Sequence, residues 1–169
     1  MTKWTVFILG LFLFVGAPMA QASTKAQVKA AGIIVYKSER LMILFDKDSD
    51  LLRSYNISLG GNPVGHKQQE GDQRTPEGLY YIDGRNPDSA FHLSLKISYP
   101  NEDDIARARA KGVDPGSMIM IHGLKNGKGW MKAKYQGKDW TDGCIAVTNR
   151  EIEEIWRMVD DGTPILIKP

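Results

Sequence analysis

The sequence has a single cysteine, Cys144, in 169 residues, and this scarcity excludes several classes of protein. A lone thiol cannot form an intrachain disulfide, so no disulfide framework holds the fold. It also cannot form a CxxC redox pair or a zinc site built from several cysteines. An excess of one charge is lacking as well, since 22 basic and 20 acidic residues leave a formal charge of +2. That balance gives no electrostatic footprint for a nucleic-acid partner.

Long apolar runs are lacking except near the start of the chain. Residues 4–15 are almost wholly apolar, Lys3 precedes them, and an Ala-Gln-Ala cleavage sequence follows at 20–22. This pattern predicts a secretory signal peptide over residues 1–22, because the run is shorter than the ~20 apolar residues that span a bilayer. The mature protein is therefore expected in the periplasm or cell envelope, without a membrane-spanning segment.

The rest of the chain alternates short apolar segments with turn-forming groups, which is typical of a mainly β fold. Strands are predicted, in chain order, over 32–36, 41–45, 51–58, 79–82, 91–99, 117–122, 144–147 and 164–167. One helix is predicted over 101–111, capped by Asn101, and a second begins at the capping box from Thr148 to Glu151. This pattern predicts one mainly β (α+β) domain over 32–169, sandwich-like or barrel-like with about two peripheral helices, after a polar lead-in at 23–31.

Cys144 is the first candidate functional residue. It follows Gly143 in the sequence Thr-Asp-Gly-Cys-Ile at 141–145, where a turn leads into a predicted strand. A thiol at a strand mouth, beside backbone N–H groups such as that of Gly143 that are expected to form an oxyanion hole, suits acyl transfer. A buried structural cysteine is the alternative, because free cysteine is among the most buried residue types. Asp142, two residues away, argues against a wholly apolar site.

A thiol nucleophile needs a base, and the sequence offers three histidines. His92 falls on the polar face of a predicted strand, where a solvated surface role is expected, and His66 lies in a polar loop. His122 ends an apolar run and precedes Gly123, which suits a base held rigidly beside a site. Cys144 and His122 are therefore the candidate catalytic pair. A metal site is poorly supported, since no histidine–carboxylate set has ligand spacing.

Two motifs resemble the signature of the L,D-transpeptidase (YkuD-type) catalytic domain family. Ile-His-Gly at 121–123 is separated by 17 residues from Thr-Asp-Gly-Cys-Ile at 141–145. The upstream segment 71–82 resembles the T-P-x-G-x-[YF]-x-I pattern of that family, and Asn149 also matches. The resemblance covers the chain from about residue 33 to residue 167.

The resemblance implies a β-sandwich-like fold with the thiol and the imidazole facing each other in one cleft, and an action on peptidoglycan stem peptides. Cys144 would be the nucleophile, His122 its proton partner, and the carbonyl of Gly123 would orient the imidazole. A thioester released by an amine gives a crosslink, whereas release by water makes the protein an L,D-carboxypeptidase or an amidase that detaches a wall-linked lipoprotein. No metal or organic cofactor is implied.

The chain also departs from that family pattern. Asp142 stands where many members have histidine, and Ala146 where many have arginine, which resembles the smaller periplasmic YafK-like branch. Asp142 is expected to raise the pKa of the thiol or to bind a substrate amine. Arg74 is a candidate for gripping a substrate carboxylate, or else for an ion pair with Asp72 or Glu77. A non-catalytic wall-binding protein and a redox- or metal-binding exported protein remain alternatives.

The segment between the two motifs is rich in lysine and aromatic residues. It is expected either to form a lid over the cleft, attracting anionic stem peptides, or to be a solvated loop pinned by its aromatics. The residues concerned are Lys125, Lys128, Lys132, Lys134 and Lys138, with Trp130, Tyr135 and Trp140.

Overall fold

The computed structural model describes Met1 and residues 28–169, so the predicted signal peptide apart from Met1, and most of the lead-in, lie outside the described residues. Within them the strands are β1 (Gly32–Tyr36), β2 (Leu41–Phe45), β3 (Leu51–Asn56), β4 (Gly78–Asn86), β5 (Ser94–Ile97), β6 (Met120–His122), β7 (Ile145–Ala146) and β8 (Pro164–Lys168). The helices are α1 (Glu102–Ala110), α2 (Lys132–Tyr135) and α3 (Asn149–Met158), with a 3₁₀ turn at Gly129–Met131. None of these helices is long and apolar enough to cross a membrane.

The strands form one curled sheet in the order β3-β2-β1-β8-β4-β5-β6-β7. Strand β4 joins its two halves, because its first residues pair with β8 and its later residues with β5, with an irregularity between Ile82 and Gly84. The two edges also meet: Ser58, just after β3, exchanges backbone hydrogen bonds of 2.9 and 2.8 Å with Ala146 in β7. The sheet therefore closes around the core, and the prediction of a mainly β, sandwich-like domain is confirmed.

The core is made by the alternation of side chains along the strands. Ile33 and Val35 in β1 and Ile165 and Ile167 in β8 are all at most 2% exposed, because every second residue of a strand points to the same face. Helix α3 packs against the sheet with a buried stripe at helical spacing, comprising Ile152, Ile155 and Met158. Only Val147 and Thr148 separate β7 from α3, so this packing also holds the start of α3 close to the end of β7.

Both predicted helix starts are confirmed by their caps. The side chain of Asn101 accepts a 3.0 Å hydrogen bond from the backbone N–H of Asp104, which returns a bond to the cap. Thr148 and Glu151 form the same reciprocal arrangement at the start of α3. Each box satisfies N–H groups that the first helical turn leaves without a partner.

The strand predicted over 91–99 is wrong in extent, because only Ser94–Ile97 forms β5. His92 has φ +72°, which an extended strand cannot contain, and its N–H bonds to the Asn126 side chain at 2.9 Å instead. The strand predicted over 117–122 is likewise reduced to β6, after Met118 at φ +61°. The short helix α2 was not predicted.

A buried lysine fastens the long loop at residues 57–77, between β3 and β4, to the sheet. Lys37, only 2% exposed, donates to the carbonyls of Gly65 and Thr75 at 2.7 and 2.9 Å and to Glu77 Oε1 at 2.8 Å. Burial lowers the pKa of Lys37, and the bond to Glu77 acts in the opposite direction. One ammonium thus satisfies three acceptors of the 57–77 loop.

We expect Lys37→Met to lower the free energy of unfolding by about 3 kcal/mol, because it leaves a partly buried carboxylate and two carbonyls without their partner. Urea denaturation of the mature chain measures this loss. Lys47→Met is the matched control, since Lys47 pairs with Asp48 at a fully solvated position where both side chains are more than 60% exposed. The control is expected to change stability by less than about 0.5 kcal/mol. Equal losses of stability in the two variants would contradict the role of Lys37 in holding the 57–77 loop.

Candidate active site

Strands β6 and β7 bring the two predicted catalytic residues to one face of the sheet. These strands are parallel, with Ile121 opposite Ile145 and His122 opposite Ala146. Cys144 directly precedes β7, so continuing this register sets it beside Met120. Because alternate residues of a strand share a face, the side chains of His122 and Cys144 point to the same side of neighbouring strands.

The imidazole of His122 is buried and held in one tautomer. Its Nδ1 lies 2.7 Å from the carbonyl oxygen of Gly123, and because a carbonyl only accepts, Nδ1 carries the proton and donates it. Nε2 is thereby left with a free lone pair. Burial lowers the pKa of His122, against the smaller opposing effect of the Gly123 bond. The rings of Phe91 and Trp140 contact this imidazole, with centroids 4.6 and 5.8 Å away.

The backbone after His122 is held by close contacts that only glycine permits. The N–H of Gly123 donates to the Phe91 carbonyl at 3.1 Å, and the N–H of Leu124 donates to Asn149 Oδ1 at 2.8 Å. A Cβ on Gly123 would lie 2.9 Å from Asn149 Oδ1 and 3.0 Å from the Phe91 oxygen. Asn149, noted in the sequence only as a motif residue, therefore fixes the segment whose carbonyl orients His122.

The thiol of Cys144 is partly exposed, and Sγ lies 3.5 Å from the carbonyl oxygen of Met118. Burial raises its pKa, while a hydrogen bond from the Met120 backbone lowers it. The exposed carboxylate of Asp142 raises the pKa further, and the ammonium of Lys67 lowers it. The net effect is a raised pKa, so the thiol is protonated at neutral pH.

A threonine organises the turn that presents the thiol. The hydroxyl of Thr141 donates to the carbonyl of Cys144 at 2.7 Å and accepts from the N–H of Gly143 at 3.2 Å. Gly143 has φ +125°, and a Cβ there would come within 2.6 Å of the Arg74 carbonyl oxygen. The N–H of Gly143 is thus engaged in the turn, whereas the N–H of Cys144 makes no hydrogen bond within residues 28–169.

The ion pair considered for Arg74 is not formed, so that prediction is wrong. Asp72 binds Lys67 at 2.8 Å and Glu77 binds Lys37 at 2.8 Å. Both lysines are nearly inaccessible to water, at 4% and 2% exposure, and a buried ammonium requires a carboxylate more than a partly solvated guanidinium does. Arg74 contributes its backbone instead, with its N–H donating to Asp72 Oδ1 at 3.0 Å.

The other two histidines have partners of their own. His66 Nδ1 accepts from the N–H of Glu77 at 2.9 Å, and its Nε2 lies 3.0 Å from Asp104 Oδ1, which ties the 57–77 loop to α1. His92 Nε2 lies 2.7 Å from Glu153 Oε1 on α3. The surface position expected for His92 is therefore half-buried and paired.

The segment 123–140 lies beside His122, and its aromatics divide into two groups. Trp140 and Tyr135 pack together with centroids 5.2 Å apart, and Trp140 reaches the imidazole, whereas Trp130 is 80% exposed. Asp139 anchors the end of the segment by binding Arg40 at 2.6 Å and the N–H of Leu59 at 3.1 Å. The five lysines of the segment are all exposed.

These features define a class: a curled β domain with a thiol and a tautomer-fixed imidazole on neighbouring parallel strands. The sequence matches the YkuD family, described as the L,D-transpeptidase catalytic domain, over residues 30–167. The chain belongs to this family.

The relatives of this chain are similarly described. It is 34% identical over 132 residues to the "Putative L,D-transpeptidase YafK" of Escherichia coli K12, which covers 75% of this chain and 46% of that protein. The chain thus spans about half the length of the curated relatives it matches.

Solved structures show the same fold. The helical cell shape determining protein Pgp2 of Campylobacter jejuni superposes with a TM-score of 0.61 at 22% identity, covering 80% of this chain and 46% of that one. Bd1075 of Bdellovibrio bacteriovorus gives 0.59 at 25% identity, covering 86% and 50%. An L,D-transpeptidase of Mycobacterium smegmatis gives 0.54 at 13% identity, covering 81% and 58%.

We expect Asp142→Asn to lower the pKa of the Cys144 thiol, because it removes a negative charge that disfavours the thiolate. The rate of alkylation by iodoacetamide at pH 7 should rise about twofold. The pH dependence of that rate, followed by intact mass, measures the shift. Asp161→Asn is the control, since Asp161 is an exposed carboxylate that does not act on the thiol. An unchanged profile in Asp142→Asn would contradict the electrostatic role.

Proposed function

We propose that this chain is a peptidoglycan-modifying cysteine acyltransferase, an L,D-transpeptidase that acts on stem peptides through a thioester on Cys144. The observation that carries the proposal is the placement of Cys144 and His122 on one face, with the tautomer of His122 fixed by Gly123. Membership of the L,D-transpeptidase family supports it. The signal peptide predicted over residues 1–22 is consistent with this proposal, because peptidoglycan lies outside the cytoplasm.

In the first half-reaction Sγ of Cys144 attacks a carbonyl carbon of the stem peptide. Its proton moves to Nε2 of His122, the ring nitrogen whose lone pair the Gly123 bond leaves free. The tetrahedral intermediate then expels the amine of the cleaved amide, which takes the proton from His122. The products are an acyl-enzyme thioester and a free amine or amino acid.

The resting protonation states fit proton transfer coupled to attack. Burial raises the pKa of Cys144 and lowers that of His122, so both groups are neutral before the substrate arrives. A preformed thiolate–imidazolium pair would require the opposite shifts. The N–H of Cys144 supplies a donor for the developing oxyanion, since it makes no other bond within residues 28–169.

The second half-reaction decides between transfer and hydrolysis. An amine from a second stem, attacking the thioester, forms a new amide crosslink and restores the thiol. Water attacking the same carbonyl gives a carboxylate. Hydrolysis is therefore the second candidate function, and it includes an L,D-carboxypeptidase and an amidase that releases a wall-linked lipoprotein. Hydrolysis is kept as a candidate because Cys144 is partly exposed, so water can reach a thioester formed there.

We expect a carbapenem to acylate the native protein once, and Cys144→Ala to remain unmodified, because the nucleophile is absent. Intact-mass spectrometry measures the adduct, and thermal unfolding of Cys144→Ala shows that the variant is folded. Absence of an adduct on folded native protein, or an adduct on Cys144→Ala, would contradict the proposal. Incubation of native protein with purified muropeptides then separates the two fates: new dimers indicate transfer and shortened stems indicate hydrolysis.

We expect kcat/KM for stem-peptide cleavage to fall as the pH drops below the pKa of His122, because the protonated imidazole cannot accept the thiol proton. Since burial lowers this pKa, the acid limb should lie below the ordinary value of about 6.5. His92→Gln is the control, because His92 faces Glu153 on α3, and its acid limb should be unchanged. An acid limb at or above about 6.5 in native protein would contradict the buried-base assignment.

A further inference from the structure

Arg74 differs from the cations around it in having no carboxylate partner within residues 28–169. Four neighbouring cations are each paired: Lys37 with Glu77, Arg40 with Asp139, Lys67 with Asp72, and Arg107 with Asp104. The two carboxylates next to Arg74 in sequence are therefore both occupied by lysines. Its guanidinium keeps an unneutralised positive charge at this place in the fold.

The guanidinium also has unused hydrogen-bonding capacity. Its Nε is buried without a partner, and its terminal nitrogens donate to no described residue. A guanidinium offers five N–H donors in a planar fork, and leaving a buried donor unpaired costs free energy that a bound acceptor would recover. A carboxylate is the acceptor that matches this fork with two parallel bonds.

The position of Arg74 links this capacity to the candidate active site. Its carbonyl oxygen packs against Gly143, the residue before Cys144, so the backbone of Arg74 lies beside the thiol turn. One terminal nitrogen of its side chain lies 3.8 Å from the point where Gly65 would carry a Cβ. Lys37 holds the carbonyls of Gly65 and Thr75, so the backbone near both ends of the side chain is fixed.

We propose that Arg74 binds a free carboxylate of the stem peptide, at a point remote from the bond that Cys144 attacks. This inference rests on the proposed function and specifies its substrate class: an acidic peptide whose recognised group is a carboxylate and not a carboxamide. The strand after Cys144 offers no cation for this purpose, because the residue there is Ala146, which is apolar and 2% exposed.

A remote carboxylate affects recognition of the substrate and leaves the reactivity of the thiol unchanged. The charged side chains that act on the pKa of Cys144 are Asp142 and Lys67, and Arg74 is not one of them. Replacing Arg74 should therefore weaken binding of an acidic peptide and leave the chemistry of a bound peptide nearly intact. That separation distinguishes a binding residue from one that supports the fold of the site.

The test measures peptide binding by calorimetry on Cys144→Ala protein, which binds without turnover. Synthetic stem peptides are used, together with versions in which each carboxylate is replaced in turn by a carboxamide. Arg74→Gln should weaken binding of the carboxylate peptide roughly tenfold or more, and Arg74→Lys should weaken it less. One carboxamide peptide should bind both the arginine and the glutamine proteins equally weakly.

Two controls make the result decisive. Arg109→Gln, an exposed arginine on α1, should leave binding unchanged, and iodoacetamide should alkylate Cys144 equally fast in otherwise native protein carrying Arg74→Gln. Equal loss for every peptide, slowed alkylation, or no loss at all would overturn the assignment of Arg74. Because binding is measured without turnover, a carboxylate preference would leave Arg74 assigned even if the native protein proved inactive on muropeptides, an outcome that would refute only the proposed reaction.

Discussion

The parallel pairing of β6 with β7 is the constraint on which the site depends. A shift of one residue would turn His122 to the opposite face of the sheet and remove it from Cys144. Ile121 and Ile145 oppose this shift because both are fully buried, and a slip would expose one of them. The backbone of Ser58 secures the other side of β7, so the strand is bonded along both edges although it has only two residues.

Burial sets the chemistry of the pair once the register is fixed. The same desolvation that raises the pKa of Cys144 lowers that of His122, so the resting site carries no net charge of its own. The proton then moves only when a carbonyl is attacked, and the tautomer required for this is set by one backbone oxygen, that of Gly123. The contacts of Asn149 and Phe91 with this segment therefore bear on catalysis although neither supplies a proton.

Sequence patterns predict the parts of this structure that depend on local periodicity and composition. The buried strands, the two capping boxes and the spacing of His122 from Cys144 are of this kind. The positive φ of His92 is not, because an alternating pattern carries no signal for a left-handed residue. The absence of an ion pair at Arg74 also escaped prediction, because Asp72 and Glu77 each bind a buried lysine instead. One of these lysines, Lys37, lies 40 residues from Glu77, so local sequence gives no signal for that pair.

Polar pairs of this kind hold the part of the 57–77 loop that follows the buried side chains of Ile57 and Leu59. Two buried ion pairs, Lys37 with Glu77 and Lys67 with Asp72, hold its geometry, and a hydrogen bond joins His66 to Asp104. Buried ion pairs contribute little net stability compared with apolar contacts of the same volume, but they require definite partners at definite distances. A loop built on them is therefore fixed in shape more than it is stabilised. For a loop that crosses the thiol turn and presents an unpaired guanidinium, fixed shape is the property that recognition of a carboxylate requires.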